Sequence, residues 1–231
     1  MKPLKTKAII LRRTNYAEAD RILTLLTPDQ GKLRLMAKGV RKVKSKLAGG
    51  IEFFSVSDIS FIAGRGEIGS LISARLATHY YQIVKDVDRT WLGYEMIKQL
   101  DKITEDEPES DYFYLLEKTF VALDNPDINI SLVKSWFGAQ LLKLSGHRPN
   151  LDSDDQQLPL RLDQSYVFDF TNMSFRPQTA GPYDAKQIKL LRLLFSDSQP
   201  GLFLKIKGID EPLLNSLAEL LQTMQSTHIR L

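Results

Sequence analysis

Basic residues are concentrated between positions 32 and 47, where seven Lys and Arg occur without any Asp or Glu. Such a patch repels itself, and phosphate groups that neutralise it relieve this repulsion. The first three cations belong to a segment in which apolar and basic residues alternate, and the other four follow at once. They are Lys32, Arg34 and Lys38, then Arg41, Lys42, Lys44 and Lys46. The pattern favours a nucleic-acid-binding surface over a merely solvated one.

More candidate residues precede this stretch, around a polar loop. Arg12, Arg13 and Arg21 flank that loop, which carries Tyr16. An exposed ring at this position can stack on a base, and packing against its neighbours is an equally good explanation. The two tryptophans, Trp91 and Trp136, fall in helix-like segments, where aromatic residues mostly belong to the core.

Several kinds of chemistry are excluded or disfavoured. The chain has no cysteine, which excludes disulfides, thiolate zinc sites, iron–sulfur clusters and a cysteine nucleophile. Its three histidines are scattered, so we expect no metal and no other cofactor. The acidic segment 152–157 resembles the start of a calcium-binding loop, but Gln stands where the loop needs glycine. We therefore predict a solvated loop there.

The segment Gly64–Gly69 matches the dinucleotide-binding pattern G-x-G-x-x-G. That function needs a strand before the glycines and a helix after them. Here a strand is predicted on both sides, so we interpret Gly64-Arg65-Gly66 as a hairpin turn. The sequence contains no Walker loop, nucleophile elbow or H-E-x-x-H motif. We expect no enzymatic activity, with a hidden carboxylate pair as the alternative.

Charge and periodicity divide the chain near residue 78. Residues 1–78 carry 15 Lys and Arg against 6 Asp and Glu, whereas residues 79–231 carry 16 against 22. The longest apolar runs are about four residues, too short to cross a membrane, so we expect a cytoplasmic protein. This asymmetry predicts a nucleic-acid-binding domain at 1–78, followed by a second domain at 79–231.

The first 78 residues have the pattern of short strands. Leu33, Leu35 and Ala37 alternate with polar or basic residues, which is the period of a strand with one buried face. Five such strands separated by turns predict a five-stranded OB-type barrel, and an SH3-like barrel fits nearly as well. Beyond residue 79 the period is helical, so we predict an α+β protein whose helical domain includes a small irregular or β lobe at about 150–180, without zinc.

The same N-terminal residues resemble the bacterial RecO family. The similarity covers about 60 residues in order and with nearly the right spacing. The matching segments are Lys7-Ala8-Ile9-Ile10-Leu11-Arg12-Arg13, the run from Asn15 to Pro28, Gly31-Lys32-Leu33, Ala37-Lys38-Gly39, the run from Arg41 to Gly49, and Gly64-Arg65-Gly66.

This resemblance implies an OB barrel, a helical domain and a small third lobe. It also implies a recombination mediator that binds single- and double-stranded DNA, anneals complementary strands, and helps load recombinase onto strands coated by single-strand-binding protein. The partners implied are RecR and the C-terminal tail of that coating protein. Many family members hold zinc with four cysteines in the third lobe, and this chain departs from them because it has none.

Two other functions remain open at this point. The basic surface would suit an RNA- or ribosome-binding OB protein equally well, which a comparison of matched DNA and RNA strands distinguishes. A hydrolase site in the acidic part of the chain is the second alternative, which turnover assays with and without magnesium test.

We predict that chelators leave the stability unchanged. Without thiolates or clustered histidines, metal binding cannot contribute to the free energy of folding as it does in zinc domains. Thermal unfolding curves recorded with and without EDTA should superimpose. A decrease of several degrees in the melting temperature after chelation would contradict the prediction.

Overall fold

The chain forms two compact units, Met1–Pro126 and Asp127–Leu231, each with its own buried residues. In the part of the chain that is described, no helix is both long and apolar enough to span a membrane. The computed structural model describes residues 2–64, 66–104, 110–161, 163–206 and 208–229.

A closed barrel of five strands occupies most of the first unit. The strands are β1 (Leu4–Tyr16), β2 (Asp20–Leu26), β3 (Lys32–Ala37), β4 (Ser55–Ile62) and β5 (Ile68–His79). They follow the hydrogen-bonded order β1-β2-β3-β5-β4, and β4 pairs with β1 to close the barrel. Every pair is antiparallel except β3 with β5. This is the OB topology, not the SH3-like alternative.

Alternating apolar residues supply the barrel core. Leu23 of β2 pairs with Leu35 of β3, and both side chains are buried in one hydrophobic cluster. Strand β1 contains a bulge between Ile10 and Arg12, where the register against β2 shifts. Because an extra residue reverses the alternation of a strand, Ile10 points into the core and Arg12 lies on the outside.

Helices α1 (Val87–Ile103) and α2 (Ser110–Asp124) complete the first unit. The buried Phe54 ring, just before β4, lies 4.8 Å from the Tyr94 ring and 5.6 Å from the Phe120 ring, both edge-on. Edge-to-face contacts of this kind stabilise a core beyond the area that they bury. Phe54 therefore joins the barrel to both helices.

A buried arginine fixes the end of α2. Arg89 is 8% exposed, and its guanidinium donates to the carbonyl oxygens of Leu123, Asn125 and Pro126, each at 3.0 Å. These bonds satisfy carbonyl groups that a helix C-terminus leaves unpaired. Arg89 therefore has a structural role, although it is a cation.

The second unit is mainly helical and contains a two-stranded antiparallel sheet, and the small lobe at about 150–180 stays a prediction. Tyr166 of that sheet is fully buried, and its hydroxyl accepts a hydrogen bond from the Arg161 amide at 2.7 Å. Among the described residues, no group of three or more Cys, His, Asp or Glu could hold a metal ion. The elements are α3 (Ile130–Leu144), β6 (Tyr166–Asp169), β7 (Ser174–Pro177), α4 (Ala185–Leu194), α5 (Pro200–Phe203) and α6 (Glu211–His228).

The OB barrel followed by helices confirms the predicted fold class, and the boundary at residue 78 stays a prediction. The segment after Gly66 enters β5 and not a helix, so the context of a dinucleotide site is missing. Arg65 of the predicted hairpin turn lies outside the described residues.

The expectation that both tryptophans are core residues is correct for one of them. Trp136 is 3% exposed, and its indole N–H donates to Ser198 O at 2.8 Å. Trp91 is 76% exposed, because the neighbouring positions Leu92 and Met96 form the buried face of α1.

We predict that Gly93→Ala destabilises the protein despite the higher helix propensity of Ala. A Cβ at this position would lie 2.6 Å from the Phe54 ring, which is buried and held by two other rings. Overpacking of this kind should lower the free energy of unfolding by about 1–3 kcal/mol, measured by urea denaturation.

The matched control is Gly138→Ala in α3. A Cβ there would lie 3.5 Å from the Gln225 side chain, an ordinary contact, so the substitution should stabilise its helix by up to about 1 kcal/mol. Equal stabilisation by both substitutions would show that Phe54 does not require the glycine.

Candidate nucleic-acid interface

The basic loop, defined as residues 38–47, is fixed to the barrel on both sides. At its start, the Gly39 amide donates to Asp20 Oδ1 at 2.7 Å, and the Arg41 amide donates to Ala19 O at 2.9 Å. After the loop, the turn Ala48–Gly50 packs against β5, where a Cβ on Gly50 would lie 2.4 Å from the carbonyl oxygen of Ala74. Two anchors therefore position the loop.

Every cation of the basic loop is exposed to solvent. Within the described part of the chain, no carboxylate lies within 4.0 Å of any of these side chains. Val43, in the middle of the loop, is also fully exposed, so the loop projects away from the barrel. Its uncompensated cations are Lys38, Arg41, Lys42, Lys44 and Lys46.

Three of the strand cations lie beside carboxylates, which corrects the expectation that no acid compensates this region. Lys32 Nζ donates to Asp101 O at 2.9 Å and lies 3.8 Å from Asp101 Oδ1. Arg12 Nε lies 3.3 Å from the other oxygen of the same carboxylate, and Arg34 lies 3.0 Å from Glu67. Asp101 and Glu67 are distant in sequence, and folding brings them beside the cations.

Two other predicted site residues have structural contacts. The Arg13 guanidinium lies 4.2 Å from the centre of the Phe53 ring, donates to Ile51 O at 3.2 Å and lies 3.3 Å from Glu52. Arg21 Nε donates to Asn15 Oδ1 at 3.1 Å, across the β1–β2 hairpin. Both arginines thus stabilise the rim of the barrel.

Strand register brings two of the strand cations onto one row. Arg12 pairs with Thr24, and Thr24 pairs with Arg34. Adjacent strands are about 4.8 Å apart, so Arg12 and Arg34 begin roughly 10 Å from each other. The alternating segment predicted from the sequence includes Lys38 with Lys32 and Arg34, but β3 ends at Ala37. Lys38 instead begins the basic loop.

Tyr16 lies close to the start of the basic loop. It is the last residue of β1, pairs with Asp20, and is 52% exposed. Asp20 is the residue whose carboxylate holds the Gly39 amide. The sequence left both stacking and packing open for Tyr16, and its exposure leaves the ring available to a ligand.

Sequence reasoning did not identify Asp101, which limits the charge of the strand surface. A carboxylate 69 residues after Lys32 gives no local signal, so only the folded chain reveals the pair.

A cavity of about 200 Å³ beside the start of β3 is lined by Lys32, Arg34 and Glu67 among other residues. Its lining therefore has mixed charge.

Comparisons with known proteins agree with this architecture. The family model described as "Recombination protein O N terminal" matches residues 1–80. A DNA repair protein RecO of Dehalococcoides mccartyi is 31% identical over 206 residues, which cover 86% of this chain and 81% of that relative.

Two further relatives with the same name match a shorter region. The protein of Dehalococcoides mccartyi strain CBDB1 is 35% identical over 148 residues, which cover 64% of this chain and 58% of the relative. That of Rubrobacter xylanophilus is 32% identical over 149 residues, or 64% of this chain and 59% of the relative. Both matches span less than two thirds of those relatives. The barrel, the match to the N-terminal model and the long alignment together mean that the chain belongs to the RecO family.

Proposed function

We propose that this protein is a non-catalytic DNA-binding mediator of recombination and repair. DNA repair and recombination is the process that its family membership supports. The finer proposal is that the protein binds single- and double-stranded DNA, anneals complementary strands, and helps load recombinase onto strands coated by single-strand-binding protein.

The observation that carries this proposal is the uncompensated charge of the basic loop. Its cations lie exposed between two anchors to the barrel, beside the β2–β3 face on which OB folds bind oligonucleotides. Concentrated like charges raise the free energy of the folded protein, and bound phosphates would offset this repulsion while releasing the counterions of DNA.

The expected binding is independent of base sequence. Lys and Arg contacts to phosphate position the nucleic acid but do not distinguish bases. Annealing would follow when two strands bind with their charges neutralised, because their mutual repulsion is then lower.

The strand cations make a second, weaker contribution in this proposal. Exposed ion pairs contribute only about 0–1 kcal/mol, so a phosphate can replace Glu67 beside Arg34. Arg12 is itself 61% exposed and can turn from Asp101 to a phosphate. Lys32 is largely covered and stays with Asp101.

Family membership also supports RecR and the C-terminal tail of single-strand-binding protein as partners, in the cytoplasm. An RNA- or ribosome-binding function is the alternative, since phosphate contacts alone do not separate DNA from RNA. Titrations with DNA and RNA strands of the same sequence distinguish the two. Clearly tighter binding to RNA would favour the alternative.

We predict that replacing Arg41, Lys42, Lys44 and Lys46 together with Ala reduces the salt dependence of single-strand binding. If each side chain touches one phosphate, the slope of log affinity against log salt concentration flattens by roughly 0.7 per contact, about three units in total. Fluorescence anisotropy with labelled oligonucleotides measures the slope. Stability should change by less than about 0.5 kcal/mol, because the side chains are exposed.

The matched control removes four exposed lysines of the second unit, Lys134, Lys186, Lys189 and Lys205. It changes the net charge by the same amount and should leave most of the slope intact. If the control flattens the slope and the loop variant does not, DNA binds elsewhere and the basic loop is not the site.

We also predict that Asp101→Asn tightens DNA binding. The substitution removes the carboxylate that holds Arg12, and the released cation can take a phosphate, which steepens the single-strand slope by up to about 0.7 units. Lys32 keeps its hydrogen bond to Asp101 O. Asp111→Asn, at an exposed position of α2 in the same unit, is the charge-matched control. Equal effects of the two substitutions would mean that only net charge matters.

A further inference from the structure

Trp91 is an exposed aromatic residue that the core of α1 does not explain. Its side chain is 76% exposed, and Val87 one turn earlier is 83% exposed. Large apolar side chains that cluster at a surface commonly mark a binding site. Nothing in the basic loop or its anchors accounts for this cluster.

A chain of contacts connects the barrel rim with this part of α1. The Arg13 guanidinium lies 4.2 Å from the centre of the Phe53 ring, and the Phe53 ring lies 5.2 Å from the Tyr94 ring, edge-on. Tyr94 is 41% exposed and lies three residues from Trp91. Residues three apart are neighbours on a helix surface, so exposed rings continue from Arg13 along α1.

The charges around α1 favour a nucleic-acid strand on the side of the helix that faces the barrel. At roughly 100° per residue, Tyr94 and Lys98 lie on the same side of Trp91 as Asp101, the residue that contacts Arg12. Asp88 and Glu95 fall on the opposite side of Trp91. The side nearest the barrel therefore combines rings with a lysine. Its carboxylate, Asp101, already lies beside Arg12 and Lys32, and Asp88 and Glu95 lie away from it.

This combination is the one that binds single strands in OB-type proteins. Cations track the backbone, while aromatic rings stack on bases without reading their identity. Trp91 and Tyr94 are separated by about 4.5 Å along the helix axis, close to the 3.4 Å between successive nucleotides of a stacked strand. A duplex hides its base faces, so only an unpaired strand can use such rings.

We propose that α1 extends the DNA site, with Trp91 and Tyr94 stacking on the bases of a single strand that leaves the barrel rim near Arg13. This inference rests on the proposed function, because the basic loop must hold the same strand. It names the residues, Trp91 and Tyr94, that would make the protein prefer single strands to duplexes.

The two tryptophans make a direct test possible with the whole chain of 231 residues. Trp136 is buried, so the fluorescence that acrylamide can quench comes mainly from Trp91. Oligo(dT) should quench Trp91 and protect it from acrylamide. An abasic strand of the same length keeps the phosphates, so it should bind through the basic loop without quenching Trp91.

Substitutions give the second measurement. Trp91→Ala should weaken binding of oligo(dT) about 5- to 100-fold and should leave the affinities for a duplex and for an abasic strand unchanged. Trp91→Phe should recover most of the lost affinity for oligo(dT). Tyr114→Ala is the matched control, since Tyr114 is a 45% exposed aromatic residue on α2. Unchanged melting temperatures show that the variants fold.

The outcomes separate this inference from the proposed function. One outcome is that oligo(dT) binds with a salt dependence that the basic loop determines, while Trp91 is not quenched and its replacement does not weaken binding. In that case the stacking site is wrong and the proposed function stands. If no strand binds, both are wrong. If Trp91 becomes protected from acrylamide as the protein concentration rises, and not when DNA is added, this surface is a protein interface. That result would overturn the stacking site.

Discussion

The barrel contains one short parallel pairing, in which Arg34–Met36 of β3 lie beside Ile68–Ser70 of β5. This contact requires a residue without a side chain, because a Cβ on Gly69 would lie 2.7 Å from Ile62 O and 2.8 Å from Leu35. Parallel neighbours cannot be joined by a tight turn. The chain must therefore leave β3 at Ala37 and travel to β4 outside the sheet, and the basic loop is the first part of that path.

The path of the chain around this parallel pairing also sets which cations are compensated. Residues within β3 lie beside neighbouring elements, where Lys32 meets Asp101 of α1 and Arg34 meets Glu67 at the entrance to β5. The basic loop begins after β3 has ended, beyond the last hydrogen bond of that strand to its neighbours. Within the described residues, no carboxylate lies beside the cations of the loop. Two populations of cations result, one held in weak ion pairs and one uncompensated.

Local pattern predicted the elements well and the charges less well. The alternation of Leu33, Leu35 and Ala37 identified β3, because one face of the strand is buried and the other is not. The partners of the strand cations could not be predicted, since ion pairs between distant residues leave no periodic signal. The prediction that Trp91 is buried is wrong for a related reason. An aromatic residue in an amphipathic segment is usually buried, and only the packing of α1 shows that the neighbours of Trp91 fill the core.

The separation of charge and rings bears on how such a protein could handle DNA strands. Phosphate contacts act on single strands and duplexes alike, so the basic loop alone would hold the product of annealing as firmly as the substrates. Rings that stack on bases lose their ligand when the bases pair, because pairing covers the base faces in a stack. On the proposed assignment, annealing would cancel the contribution of Trp91 and Tyr94 while leaving that of the loop. The affinity would then fall as two strands become one duplex, which favours release of the product without any source of chemical energy.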